Sequence, residues 1–86
     1  MNEIYDSNGK LIGMIALSER NLELLNRGIE ITIQYHTPQL MRAALGDTAG
    51  SFALAMQGGQ IRVIDPTQLK TYCDLQTKIA ETQRVA

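Results

Sequence analysis

The chain has 86 residues and a mass of 9.5 kDa, enough for one domain, and its 44% of hydrophobic residues suffices for one small core. Eight basic residues against nine acidic ones, with no run of like charge, exclude nucleic-acid binding through a basic patch. A single cysteine excludes an intramolecular disulfide and therefore a disulfide-rich secreted scaffold.

The chain opens with a predicted β-hairpin. Asn8-Gly9 lies between the predicted strands 3–6 and 10–16, and both residues tolerate the positive φ angles of a type I′ turn. Strict alternation gives the second strand two apolar faces, one with Ile12 and Met14 and the other with Leu11, Gly13 and Ile15. Such a strand either lies between two layers or faces a partner.

A short helix is predicted next. Ser18 is the expected N-cap, because its hydroxyl can accept a hydrogen bond from a first-turn amide. Leu22 and Leu25 supply a buried stripe, and Gly28 is the expected stop.

The third predicted strand has the clearest pattern in the chain. Its apolar positions alternate with Glu30, Thr32 and Gln34, which is the period of a half-buried strand. The residues expected on its buried face are Ile29, Ile31, Ile33 and Tyr35.

The segment 37–46 has two interpretations. Thr37 as N-cap, Pro38 at the first helical position and Gly46 as the stop predict a helix of two turns. The alternative is an irregular or extended segment, because a residue before proline is biased away from helical geometry.

A second hairpin is predicted at 51–64, with Gly58-Gly59 as its two-residue turn. Its first strand carries the small residues Ala53 and Ala55 on the outer face. Such residues suit the close approach of a helix or of a second subunit.

The last predicted helix has a strong start signal. Asp65 is the expected N-cap, Pro66 takes the first helical position, and Gln68 is placed to complete a capping box. Cys73 falls on the apolar stripe of this helix, and the chain is expected to fray beyond about Thr82.

These elements predict a single α+β domain over residues 1–86. Two hairpins and one strand form an antiparallel-rich sheet of about five strands. Two longer helices and one short helix pack on it, and we expect the longer helices to cover one face.

Candidate catalytic and metal-binding residues are few. His36 is the only histidine and Cys73 the only cysteine, and together they could act as base and nucleophile. A cysteine on an apolar stripe, however, normally behaves as a small hydrophobe. No spacing typical of zinc ligands, a phosphate loop or a nucleophile elbow occurs, so no metal and no cofactor is expected. An enzyme is the least favoured hypothesis.

A small-molecule-binding domain is the second hypothesis. Its pocket would lie between the sheet and the helices. The residues expected to line it are Tyr5, Tyr35, His36 and Tyr72.

The leading hypothesis is a non-enzymatic module, such as an adaptor, regulatory or inhibitory protein, that binds a protein partner and forms a homodimer. One sheet face would keep apolar side chains available for association. The expected interface residues are Ile12, Met14, Ala53, Ala55, Arg62 and Ile64. The sequence contains neither a signal-peptide pattern nor an apolar run of membrane length, which predicts a cytoplasmic location without membrane contact.

Overall fold

The computed structural model describes residues 1–84 and confirms the predicted α+β fold. A 3₁₀ turn, Gln39–Met41, leads directly into the second helix. In chain order, the elements of residues 1–84 are β1 (Asn2–Tyr5), β2 (Leu11–Ile15), α1 (Glu19–Asn26), β3 (Ile31–His36), α2 (Arg42–Leu45), β4 (Ala49–Gln57), β5 (Gln60–Val63) and α3 (Pro66–Arg84). Helix α3 therefore continues past Thr82, and residues 85–86 of the segment expected to fray lie outside the described residues.

The strands form one sheet in the order β2-β1-β5-β4-β3. Neighbouring strands are antiparallel except β1 and β5, which pair in parallel through Ile4 with Ile61 and Tyr5 with Arg62. This one parallel pair joins the first hairpin to the rest of the sheet. As a result, β2 and β3 are the two edge strands.

Both longer helices lie on the same face of the sheet. Helix α3 packs against β2 and β4, and α1 packs against β3 and β4. A single hydrophobic cluster fills the space between sheet and helices. Its buried members are Ile4, Ile15, Leu25, Ile31, Tyr35, Phe52, Leu54, Val63, Leu69 and Leu75.

The two hairpins turn by different means. Gly58 and Gly59 form the predicted two-residue turn, and their φ angles of 58° and 76° are the two positive values of a type I′ turn. In the first hairpin only Gly9 has a positive φ, of 81°, and its N–H donates to the Asp6 carbonyl over 3.0 Å. The Asp6 carboxylate also accepts from the N–H groups of Asn8 and Lys10. The type I′ prediction is therefore wrong here, because Asp6 organises a longer, three-residue turn.

A β-bulge changes which side chains of β2 face the helices. The pairing moves from Ile4–Gly13 to Tyr5–Leu11, so that Ile12 is an extra residue on β2. Ile12 consequently packs against the core together with residues of α3, whereas Leu11 is 49% exposed. The predicted strict alternation, with Ile12 on the same face as Met14, is wrong for this reason.

Helix α1 begins and ends as predicted. The Ser18 hydroxyl accepts from the Asn21 N–H over 3.1 Å, and Gly28 adopts a φ of 80° after the last turn. The N–H of Ile29 donates back to the Leu24 carbonyl over 2.9 Å. Since Ile29 belongs to this helix end and not to β3, it is 45% exposed, and its predicted place on the buried face is wrong.

The connection between β3 and β4 contains the 3₁₀ turn and α2, so the helical interpretation of 37–46 is confirmed in part. Thr37 does not cap this helix. Its side chain is fully buried, its Oγ1 accepts from the Thr48 N–H over 3.0 Å, and its own N–H donates to the Thr48 carbonyl over 2.8 Å. Thr37 and Thr48 therefore hold the two ends of the connection together. The buried Thr37 hydroxyl needs hydrogen-bond partners, and the backbone of Thr48 supplies them.

Helix α3 begins where the sequence predicts. The Asp65 carboxylate accepts from the Thr67 N–H over 3.1 Å, as expected of an N-cap. Gln68 does not complete the predicted capping box. Its Oε1 instead accepts a hydrogen bond of 2.8 Å from the Tyr35 hydroxyl, which ties α3 to β3.

Candidate functional site

The sheet face opposite the helices is here called the open face. Register pairs place Met14 beside Glu3, Ala55 beside Arg62, and Thr32 beside Ala53 on this side. The side chains that define the open face are Glu3, Tyr5, Leu11, Met14, Thr32, Gln34, His36, Ser51, Ala53, Ala55, Arg62 and Ile64. It is therefore a mixed surface. Glu3, Tyr5 and Arg62 on the central strands β1 and β5 lie between the exposed apolar side chains of β2 and the alanines of β4.

Five of the six predicted interface residues lie on the open face. Met14 is 48% exposed and Ile64 59% exposed, which is high for large apolar side chains. Ala53 and Ala55 lie on β4, next to the strand that ends before Ile64, and a depression of about 220 Å³ is found beside Ala55. The sixth predicted residue, Ile12, is on the helix side because of the bulge in β2.

Arg62 is held by contacts within its own chain. Its guanidinium donates to the Ser7 carbonyl over 3.2 Å and to Gln60 Oε1 over 3.1 and 3.3 Å. These bonds tie the turn of the first hairpin to β5 and hold the side chain of Arg62 close to the sheet. Arg62 therefore reinforces the parallel junction between β1 and β5, and it also forms part of the wall of the depression.

The four predicted pocket residues do not converge. Tyr35 and Tyr72 meet inside the core with ring centroids 5.5 Å apart in an edge-on arrangement, and Phe52 packs against both rings. Tyr5 and His36 belong to the open face, on the other side of the sheet. A hydrogen bond that Tyr5 donates to the Glu3 carboxylate raises the pKa of the Tyr5 phenol.

The sheet also separates His36 from Cys73. His36 is exposed at the end of β3, whereas Cys73 is half-buried on α3, on the opposite side. Burial, and to a lesser degree the neighbouring Asp74 carboxylate, raises the pKa of the Cys73 thiol. Among residues 1–84, no group of three His, Cys, Asp or Glu side chains is arranged to hold a metal ion.

A groove of about 440 Å³ runs between the edge strand β2 and helix α3. Gly13 allows α3 to approach closely here, since a Cβ at this position would lie 3.0 Å from Cys73 Sγ. The groove is lined by Met1, Gly13, Met14, Ile15, Ala16, Tyr72, Cys73, Gln76, Thr77 and Ala80. Sequence reasoning missed this feature because it requires knowing that β2 is an edge strand and that α3 packs beside it; the small residues Gly13, Ala16 and Ala80 are the only local signal.

Comparison with protein-family models, with curated proteins and with solved structures gives no match for this chain. Within residues 1–84, no helix combines the length and the apolar character needed to cross a membrane.

Proposed function

We propose that this protein is a small, non-enzymatic interaction module that works by binding protein, and that it associates with a second copy of itself through the open face. One observation carries the proposal: α1 and α3 both pack on one side of the sheet, while Leu11, Met14 and Ile64 stay about half exposed on the other. Large apolar side chains left exposed on one face of a sheet favour association through that face.

The size of the open face suits a dimer. Five strands spaced about 4.8 Å apart, with residues rising about 3.3 Å each, give the face a flat outline of roughly 400 Å². Side-chain relief raises the accessible area above that figure. A specific interface needs at least about 500 Å² from each partner, so the whole face would have to take part.

The relief of the open face suits sheet-on-sheet packing. Two sheets that pack face to face lie about 10 Å apart and interdigitate their side chains. In a two-fold pair the same patch serves both partners, so that a large side chain such as Ile64 can enter the depression beside Ala55 of the other copy. The polar margin of Thr32, Gln34 and His36 would form the solvated rim.

The cellular setting belongs to the same proposal. The one cysteine is a free thiol, which supports a reducing, cytoplasmic environment. The regulatory or inhibitory role would come from a further protein partner.

The test is light scattering coupled to size exclusion, on the wild type and two variants. Ala55→Arg places a second positive charge beside Arg62 on the open face, and Ala43→Arg makes the same change at an exposed alanine of α2. We expect a dimer mass for the wild type and for Ala43→Arg, and a monomer mass for Ala55→Arg, because burying a charge without an opposite partner is strongly unfavourable. A wild-type mass of 9.5 kDa at every concentration in a wide dilution series would refute self-association.

A further inference from the structure

The outer edge of β2 offers backbone groups for pairing. Among residues 1–84, β2 pairs only with β1, so its other side leaves N–H and C=O groups without a strand partner in that part of the chain. Natural edge strands usually carry charged side chains or proline to discourage addition of another strand. The residues of β2, Leu11–Ile15, include neither, and none of their side chains is polar.

The groove between β2 and α3 lies next to that edge. Gly13 and Ile15 of β2 line one wall, and Tyr72, Cys73 and Ala80 of α3 line the other. A strand added beside β2 would direct alternate side chains toward the helix side, which is the side of the groove. One added strand could therefore pair with the free backbone of β2 and also fill the groove.

We propose that β2 and the groove together bind an extended, uncharged apolar segment of a partner protein, which adds to the sheet as a sixth strand. This inference rests on the proposed function, that the chain works by binding protein, and it gives that function a second surface. Backbone hydrogen bonds to β2 would supply much of the affinity, and the side chains that enter the groove would supply the specificity.

The lining of the groove defines the chemistry of the segment. None of the side chains around it carries a formal charge, and the majority are apolar. A charged side chain on the helix side would lose its hydration there, and no lining side chain offers it an opposite charge. On the other side of the added strand, Leu11 and Met14 are half exposed and would contact apolar side chains. About five residues of the segment would match the length of β2.

A segment of this kind fits the edge better than a second copy of the chain does. Antiparallel pairing of two β2 strands about a two-fold axis would keep both α3 helices on the same side of the joined sheet. Each helix already lines a groove at this edge, so the two would compete for the space that the grooves occupy. Self-association is therefore assigned to the open face, and pairing through β2 to a different chain.

The experiment uses a phage-displayed library of random short peptides as the probe. The library is selected on the wild-type protein, and the enrichment of each peptide is compared with its enrichment on Ala80→Arg. Position 80 is exposed on α3 and lines the groove, so the long arginine side chain would enter it. Ala43→Arg is the matched control on α2. An enriched sequence is then made as a synthetic peptide, its affinity is measured by fluorescence anisotropy, and backbone hydrogen exchange is followed in β2.

We expect enriched sequences with uncharged apolar residues at alternate positions. Their affinity should fall at least tenfold with Ala80→Arg and stay unchanged with Ala43→Arg, and the peptide should slow exchange of β2 amides. Equal enrichment on Ala80→Arg, no enrichment at all, or binding without protection of β2 would each overturn the proposal. So would a lower oligomeric mass for Ala80→Arg, because it would assign the groove to a second copy. Ala55→Arg should leave peptide binding intact, so that failure of the open-face dimer and failure of this site give different results.

Discussion

The two faces of the sheet pass through the same strands and yet lie in different environments. In β4, Phe52 and Leu54 point to the helices and are 3% and 0% exposed. Their neighbours Ala53 and Ala55 point the other way, where the described helices do not cover them. The stability of the domain is therefore concentrated on one face, and the other face is free to take part in binding.

The largest expected effect on stability is a difference between two isoleucine truncations, one on each face of the sheet. Ile4 is fully buried against the helices, whereas Ile64 is 59% exposed on the open face. Ile4→Ala should lower the free energy of unfolding by about 2–5 kcal/mol, because it leaves a cavity in the core. Ile64→Ala should change it by less than about 0.5 kcal/mol in the monomer, since surface changes have small effects.

Chemical denaturation of both variants, at a concentration where the protein is monomeric, measures this difference. Equal losses of stability would mean that the open face is covered after all. A loss confined to Ile4→Ala would establish that the helix side carries the core.

The next effect concerns a glycine on the helix side of β4. A Cβ at Gly50 would lie 2.5 Å from the Tyr35 hydroxyl and 2.8 Å from Gln68 Oε1, so it would disrupt the hydrogen bond between these groups. Gly50→Ala should destabilise the domain by about 1–3 kcal/mol, as overpacking does in tight cores. Ser51→Ala, one residue along on the open face, is the control and should be nearly neutral.

Thermal unfolding of the two variants compares them directly. An unchanged melting temperature for Gly50→Ala would contradict the close packing of Tyr35 and Gln68 against β4.

A smaller effect concerns the start of the helix that covers the sheet. Asp65→Ala removes the acceptor of the Thr67 N–H and should cost about 1 kcal/mol of stability. Asp74→Ala, at an exposed position inside the same helix, should cost less than about half as much. Equal denaturation midpoints for Asp65→Ala and the wild type would show that α3 does not depend on this cap.

The smallest expected effect is a difference in thiol reaction rate between the two faces of the sheet. Because burial and Asp74 raise the pKa of Cys73, its thiol stays protonated to a higher pH in the folded protein than in the unfolded chain. At a mildly alkaline pH, Cys73 should therefore react more slowly with a thiol reagent in buffer than in denaturant, since the thiolate is the reacting form. Asp74→Asn should lower the thiol pKa slightly.

A cysteine moved to the open face provides the comparison. In the double variant Ser51→Cys/Cys73→Ala the thiol is at an exposed position, and its reaction rate should be nearly the same in buffer and in denaturant. If native Cys73 reacted as fast as this variant, its half-buried place on α3 would be wrong.

The candidate surfaces were predictable only in part. Alternation along β4 and β5 was sufficient to place Ala53, Ala55 and Arg62 on one face, because side chains in a regular strand point alternately to the two sides. Ile12 was misplaced, since a bulge in the pairing with β1 leaves no reliable mark in the sequence of β2. The tyrosines of the predicted pocket also lie apart. Tyr35 and Tyr72 pack together on the helix side, although they belong to distant elements, whereas Tyr5 lies on the open face.

The sequence by itself determined the features that depend on a few neighbouring residues. These include the caps at Ser18 and Asp65, the turn at Gly58-Gly59, the alternation of β3 and hence the α+β class, because each follows from local hydrogen bonding and side-chain direction. Only the tertiary structure decided the strand order, and with it the edge position of β2 and the groove beside α3. The parallel pairing of β1 with β5 joins residues far apart in the chain, and its geometry depends on how the whole core packs, which no local pattern encodes.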